Sequence, residues 1–426
     1  MESQRFPESP RIHAVQQALT RGNSTALDRF WQDILAHGAP LIETIEGDEK
    51  HALVTFLWRD SGDTHNVVIW GGPAGVDHPE EHQMTRLLDT DLWYKTYRLQ
   101  MDVRGVYTFS INDALTNQAQ GGFGTRFLPD PLNPKQFVAH RDEEKPDSQE
   151  VIFSILELPH APAQTWIVPS PDGAKGQLHA HRLHSHILGN ERRVWVYTPA
   201  EYTQTGESYR LLLLFDGWTY LDLIPTPTIL DNLVREGKIP PLVTVFLDHP
   251  DDETRNRELV CYQPFVDFLV QELMPWMHEH YHVTADPAQT IVGGCSYGGL
   301  AAAFAGLRAS GTFGNVLSQS GSFWWEKDPE DDIQQEWIIQ QFIASPRLPL
   351  RFSLEVGLKE DVGWIYMVGC NRHLRDVLRL KGYEVQYAEF NGYHHSVSHR
   401  GSFADRLVAL VGKEPVSGVK ERASDR

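Results

Sequence analysis

Hydrophobic positions change their period along this chain. A helical pattern opens with Ala26-Leu27-Asp28-Arg29-Phe30-Trp31, headed by Ser24 or Thr25 as cap, and a hydroxyl residue just ahead of an apolar-periodic run is a helix-start signal. Short β-like runs follow at residues 52–58, 67–70, 93–99 and 106–110, with Gly71-Gly72-Pro73 as a turn between two of them. Strands of this length and spacing predict a β-sandwich. Pro159, Pro162, Pro169, Pro171, Gly173 and Gly176 then crowd residues 158–176, the composition of a domain junction. A first domain is therefore expected over 1–160 and a second over 161–426.

Beyond the junction an alternating strand pair, 178–188 and 193–197, leads into regular strand–helix alternation. Strands are expected at 211–215, 242–247, 290–292, 315–319, 352–356 and 385–390, and helices at 262–281, 299–307 and 366–381. That order implies βαβ units and a largely parallel sheet.

The sharpest chemical signal is Thr290-Ile291-Val292-Gly293-Gly294-Cys295-Ser296-Tyr297-Gly298-Gly299-Leu300. A buried-strand pattern, G-x-S-x-G and a small-residue helix in succession are the context of the α/β-hydrolase nucleophile elbow. Ser296 is the candidate nucleophile, and the N–H of Tyr297, at the helix start, the first candidate oxyanion donor. Gly294 and Gly298 are expected to be glycines because side chains there would strike the neighbouring strand and helix.

A serine needs a base, and this fold supplies the acid and the histidine later in the chain, in that order. After the strand 352–356 comes Gly357-Leu358-Lys359-Glu360-Asp361, with Glu360 favoured as the acid and Asp361 the alternative. After the strand 385–390 comes Asn391-Gly392-Tyr393-His394-His395. His394 is preferred as base, with His395 and His399 competing. The loop Asp216-Gly217-Trp218 is expected to give the second oxyanion donor through Trp218. His179, His181, His184 and His186 alternate along one strand and read as a solvated face rather than a metal site. No metal or cofactor is expected.

Composition narrows the partners. With 57 acidic against 38 basic residues the net charge is −19, which disfavours nucleic acid or an anionic membrane. The 41% hydrophobic content and 12 tryptophans supply cores and aromatic clefts. The polar opening residues and the lack of any 18-residue apolar run lead to the expectation of a cytoplasmic protein. Cys261, Cys295 and Cys370, without CxxC spacing, suit reduced thiols.

Together these segments resemble the enterochelin esterase family, cytoplasmic hydrolases that open ester bonds of ferric catecholate siderophores. The resemblance covers most of the chain. It rests on the elbow, on Ser318-Gln319-Ser320-Gly321-Ser322 followed by Trp324-Trp325, on Arg255 with Glu258-Leu259, and on Trp93-Tyr94-Lys95-Thr96 with Val106-Tyr107-Thr108-Phe109. It implies an immunoglobulin-like N-terminal domain, a Ser296–His394–Glu360 triad, substrate contacts from Arg255, Trp324 and Trp325, and iron entering only as part of the substrate. A flat, aromatic trianion suits cation–π and charge contacts from such residues. The family usually reads Gly-Gly-His-Asp and then a tryptophan–arginine pair, where this chain has Gly392-Tyr393-His394-His395 and Ser398-His399-Arg400. The larger Tyr393 and its neighbours alter the pocket wall, so the resemblance bears on catalysis more than on the exact siderophore. The competing functions are a feruloyl or acetyl carbohydrate esterase of the same fold and an inactive siderophore-binding relative.

Overall fold

The computed structural model describes residues 8–116, 127–145, 148–327, 335–363 and 365–412. The chain divides into two units: one runs to Ala163 and takes in Gly357–Tyr366 and Phe390–Ser398, and the other holds Gln164–Val356, Met367–Glu389 and the chain from His399 on. The two short segments group with the first unit although a boundary near 160 assigns them to the second. The cause is local packing, with Tyr393 against Gly105 and His395 against Phe137 and Phe153.

The first unit opens with the helix Pro10–Thr20, capped by the Ser9 hydroxyl, which accepts from the Ile12 N–H. Sequence periodicity did not announce this helix, because its buried side chains are only Ile12 and Val15. In the next helix, Ala26–His37, Thr25 stands at the cap position but makes no capping bond; its N–H and hydroxyl donate instead to Asn23. This helix lays Phe30, Trp31 and Ile34 on Leu41, Leu57 and Leu92. Antiparallel strands follow in two sheets, one including Asp48–Arg59 and Leu92–Gln100, the other Val67–Gly71, Arg104–Ile111, Gln136–Ala139 and Val151–Glu157. Val54, Phe56 and Tyr97 of the first sheet share one core with Ile69, Tyr107 and Phe109 of the second. Val67–Gly71 and Arg104–Ile111 are buried at almost every position, so these two strands are covered on both faces.

The second unit is built on eight strands: β1 (Gln177–Ser185), β2 (Asn190–Thr198), β3 (Arg210–Phe215), β4 (Leu242–Leu247), β5 (Thr290–Cys295), β6 (Asn315–Gln319), β7 (Arg351–Gly357) and β8 (Glu384–Phe390). Their spatial order is β1-β2-β4-β3-β5-β6-β7-β8. β1, β2 and β4 pair antiparallel, whereas β4, β3, β5, β6 and β7 run parallel. β3 and β4 are almost entirely apolar, with Thr244 the one polar residue inside β4, because helices cover both faces of a parallel sheet. The helices Thr226–Arg235 and Ser396–Val411 bring Ile229, Leu230, Leu233, Phe403 and Leu407 onto Leu212, Leu214, Phe246 and Ile291. This is an α/β-hydrolase-like domain.

Two departures from the expected elements have a local cause. β1 stops at Ser185, where the Ser185 hydroxyl donates to Glu272 and accepts from the Leu188 N–H as the chain turns. The helical stretch expected over 262–281 is interrupted by a π-helical turn, Leu269–Leu273, just ahead of Pro275, which has no N–H for a regular helix. Within β1, His181 bonds to the Tyr281 hydroxyl at 2.6 Å and sets its ring edge to Trp276, so that part of the histidine row is an aromatic cluster. Among the described residues no helix is long and apolar enough to cross a membrane.

Candidate active site

β5 ends at Cys295, and Ser296 takes φ 58° and ψ −122°. A side chain in such a backbone region costs about 1–3 kcal/mol, so the turn persists only because its surroundings hold it. The Ser296 N–H donates to the Gln319 carbonyl at 3.0 Å, and the Ser296 carbonyl accepts from Leu300 and Ser322, each at 3.1 Å. A β-carbon at Gly294 would lie 2.5 Å from the Gly298 carbonyl carbon, and one at Gly299 would lie 2.4 Å from Ser318 Oγ. At Gly298 the expected clash is milder, with Asp216 Oδ2 nearest at 3.3 Å. The second tight glycine of the elbow is therefore Gly299. Ser296 Oγ stands 3.3 Å from Ser322 Oγ, a contact that sequence spacing does not reveal. Tyr297 is the first residue of the helix Tyr297–Arg308, so its N–H lies at the electropositive helix end.

Beyond β3 the chain turns at Asp216, φ 56°. Its buried carboxylate accepts from Arg255 twice, Nε to Oδ1 at 2.7 Å and Nη2 to Oδ2 at 2.8 Å, with His249 Nδ1 3.3 Å from Oδ1. Burial pushes this carboxyl up, but hydrogen bonds from His249 and Arg255 outweigh burial and hold it well below the usual range. The same guanidinium lies 5.8 Å from the centre of the Tyr297 ring. Arg255 therefore clamps together the two segments that carry Tyr297 and Trp218, with its charge matched by Asp216. Trp218 itself precedes a π-helical turn, Thr219–Leu223, with its ring against Trp195.

Arg255→Ala leaves Asp216 buried without its main partner and is expected to cost about 3–5 kcal/mol, read by urea denaturation at neutral pH. The lowered carboxyl stabilises the fold above its ordinary pKa of 3.8, and that contribution is lost as pH falls through the folded value. The gap between variant and wild type should therefore narrow in strong acid.

The loop after β7 folds back on itself. Glu360, 2% exposed, accepts at Oε1 from the Gly357 N–H (2.8 Å) and at Oε2 from His394 Nδ1 (2.7 Å). Asp361 is exposed. A carboxylate on Nδ1 selects the imidazole tautomer whose Nε2 accepts a proton. His395 turns elsewhere, with its ring edge-on to Phe137 and Phe153 at 5.0 and 5.2 Å and its Nδ1 accepting from the Val397 N–H. His399 sits buried on the helix Ser396–Val411, Nδ1 3.3 Å from Cys295 Sγ and Nε2 3.1 Å from Ser320 Oγ. Trp324 stands beside Tyr297 with ring centroids 6.1 Å apart, while Trp325 turns to Trp337.

Residues 185–410 match the family model described as putative esterase, and residues 53–167 match the enterochelin esterase N-terminal model. The iron(III) enterobactin esterase of Escherichia coli O6:H1 is 30% identical over 382 residues, covering 84% of this chain and 90% of that protein. The iron(III) enterobactin esterase of Dickeya dadantii is 29% identical over 433 residues, covering 92% and 95%. The crystal structure of the enterobactin esterase from Shigella flexneri in the presence of enterobactin superposes with a TM-score of 0.72 at 28% identity, over 90% of this chain and 97% of that one. A strand–serine–helix elbow in an α/β-hydrolase-like domain, joined to matches over both parts of the chain, makes this protein a carboxylic ester hydrolase of the enterochelin esterase family.

Proposed function

We propose that the enzyme hydrolyses the ester bonds of a ferric catecholate siderophore such as enterobactin, with Ser296 as nucleophile, His394 as general base and Glu360 as the acid that orients it. The observation that carries this reading is the elbow at Ser296, where a non-glycine residue is held at φ 58° between a strand and a helix. Ser296 Oγ attacks the ester carbonyl carbon while His394 Nε2 takes its proton. The oxyanion that develops is stabilised by the Tyr297 and Trp218 N–H groups. Collapse breaks the ester C–O bond, and the alkoxide leaves with the proton held on His394. Water, deprotonated by the same histidine, then releases the acid and restores the serine. Glu360, already bonded to Nδ1, stabilises the imidazolium formed in both halves.

Arg255, Trp324 and Trp325 are the proposed substrate contacts, with Trp324 favoured over Trp325 because it lies beside Tyr297. Arg255 acts partly through its hold on Asp216. The chemistry needs no cofactor, since iron arrives chelated in the substrate. We assign residues 1–160 to an immunoglobulin-like sandwich and the enzyme to the cytoplasm, where Cys261, Cys295 and Cys370, none of them in a disulfide, stay reduced. Comparing kcat/KM on a ferric catecholate trilactone with that on an aryl feruloyl ester tests the substrate class. Preference for the trilactone supports the reading, and preference for the feruloyl ester overturns it.

A further inference from the structure

The five residues Asn391 to His395 carry the base, yet four of them are held by the strands of the N-terminal β-unit. Asn391 Nδ2 donates to Gln100 Oε1 at 2.8 Å and to Asp102 Oδ1 at 2.6 Å. Gly392 bridges to Arg104 in parallel fashion. The Tyr393 ring packs on the core shared by Phe56, Tyr97 and Tyr107, and His395 wedges edge-on between Phe137 and Phe153. Only His394 turns the other way, to Glu360. The acid loop joins the same assembly, since the Leu358 and Lys359 N–H groups donate to the carbonyls of Phe390 and Gly392.

Tyr393 has a matched seat. A β-carbon at Gly105, in the strand Arg104–Ile111, would stand 2.5 Å from Tyr393 Cδ2 and 2.9 Å from Cε2. The glycine is therefore the space the ring occupies, and a side chain at 105 excludes a ring at 393. The His395 N–H donates to the Tyr393 carbonyl at 2.8 Å, closing a tight turn around His394, so the seat of the ring at 393 fixes one end of the turn that aims 394.

We infer that the N-terminal β-unit positions the general base, with Tyr393 and its seat Gly105 as the positioning residues that hold His394 in register with Glu360. This rests on the assignment of His394 as base. Tyr393 and Gly105 touch no reacting atom. Their contribution is orientation, and a displacement of about 1 Å in a catalytic group is enough to lower the rate on the order of 10²-fold.

The test is a double-mutant cycle read on a nitrophenyl ester, with thermal unfolding of each variant. Tyr393→Gly and Gly105→Ala should each lower kcat on the order of 10²-fold with KM changed less than about twofold. The double variant should be no worse than either single one, because both break the same contact. Tyr393→Phe, which keeps the ring, should retain wild-type kcat. If Tyr393→Gly does not fold, Tyr393→Leu carries the test, since it keeps apolar bulk without the ring's shape. Wild-type kcat in folded Tyr393→Gly or Tyr393→Leu, while His394→Ala is inactive, overturns the positioning role and leaves the base assignment standing. Activity in His394→Ala overturns both.

Discussion

Ser296→Ala is expected to lose ester hydrolysis by several orders of magnitude, up to about 10⁶-fold in kcat, while keeping the wild-type melting temperature. The loss is large because the covalent route disappears with the hydroxyl. The fold survives because the elbow is held by backbone bonds to Gln319, Leu300 and Ser322, none of which uses the serine side chain. A fluorophosphonate probe should label the wild type and not the variant. Retention of more than about one tenth of the wild-type rate would show that the nucleophile lies elsewhere.

The second large effect separates two adjacent histidines. His394→Ala should fall on the order of 10⁴-fold in kcat on a nitrophenyl ester, whereas His395→Ala should stay within about tenfold of wild type. The asymmetry follows from where each ring goes. His394 Nδ1 donates to the buried Glu360 carboxylate, and His395 fills a gap between two phenylalanines and caps a helix through Val397. Removing His395 loosens packing, but Asn391 and Tyr393 still hold the loop. An inactive His395→Ala beside an active His394→Ala would mean that the base is one residue further on.

The elbow was readable because it is local. Strand, glycine, serine, glycine and helix are adjacent in sequence, and the backbone geometry at Ser296 leaves few residue types at 294 and 299. Parallel strands were readable for a related reason, since β3 and β4, buried on both faces, are almost entirely apolar runs broken within the strand only by Thr244. Contacts across long separations were not. The pairing of Arg255 with Asp216 spans 39 positions, and no periodicity reports it; nothing in the sequence shows that Arg255 also holds a buried carboxylate. Neither Glu360 against Asp361 nor His394 against His395 is decided by spacing, because a one-residue step in a loop reverses the side chain. The Glu360–His394 bond appears only when both loops are folded. The grouping of 390–398 with the first unit is likewise invisible in sequence, since it depends on Gly105, Phe137 and Phe153, each more than two hundred residues upstream.

The catalytic role of Ser296 is read most directly by product chromatography after incubating an iron-loaded catecholate trilactone with the wild-type enzyme and with Ser296→Ala. The wild type should convert the trilactone to ring-opened and shorter esters that accumulate with time, and Ser296→Ala should leave it intact. An unchanged trilactone with active wild-type enzyme, or equal conversion by both proteins, would contradict this reading.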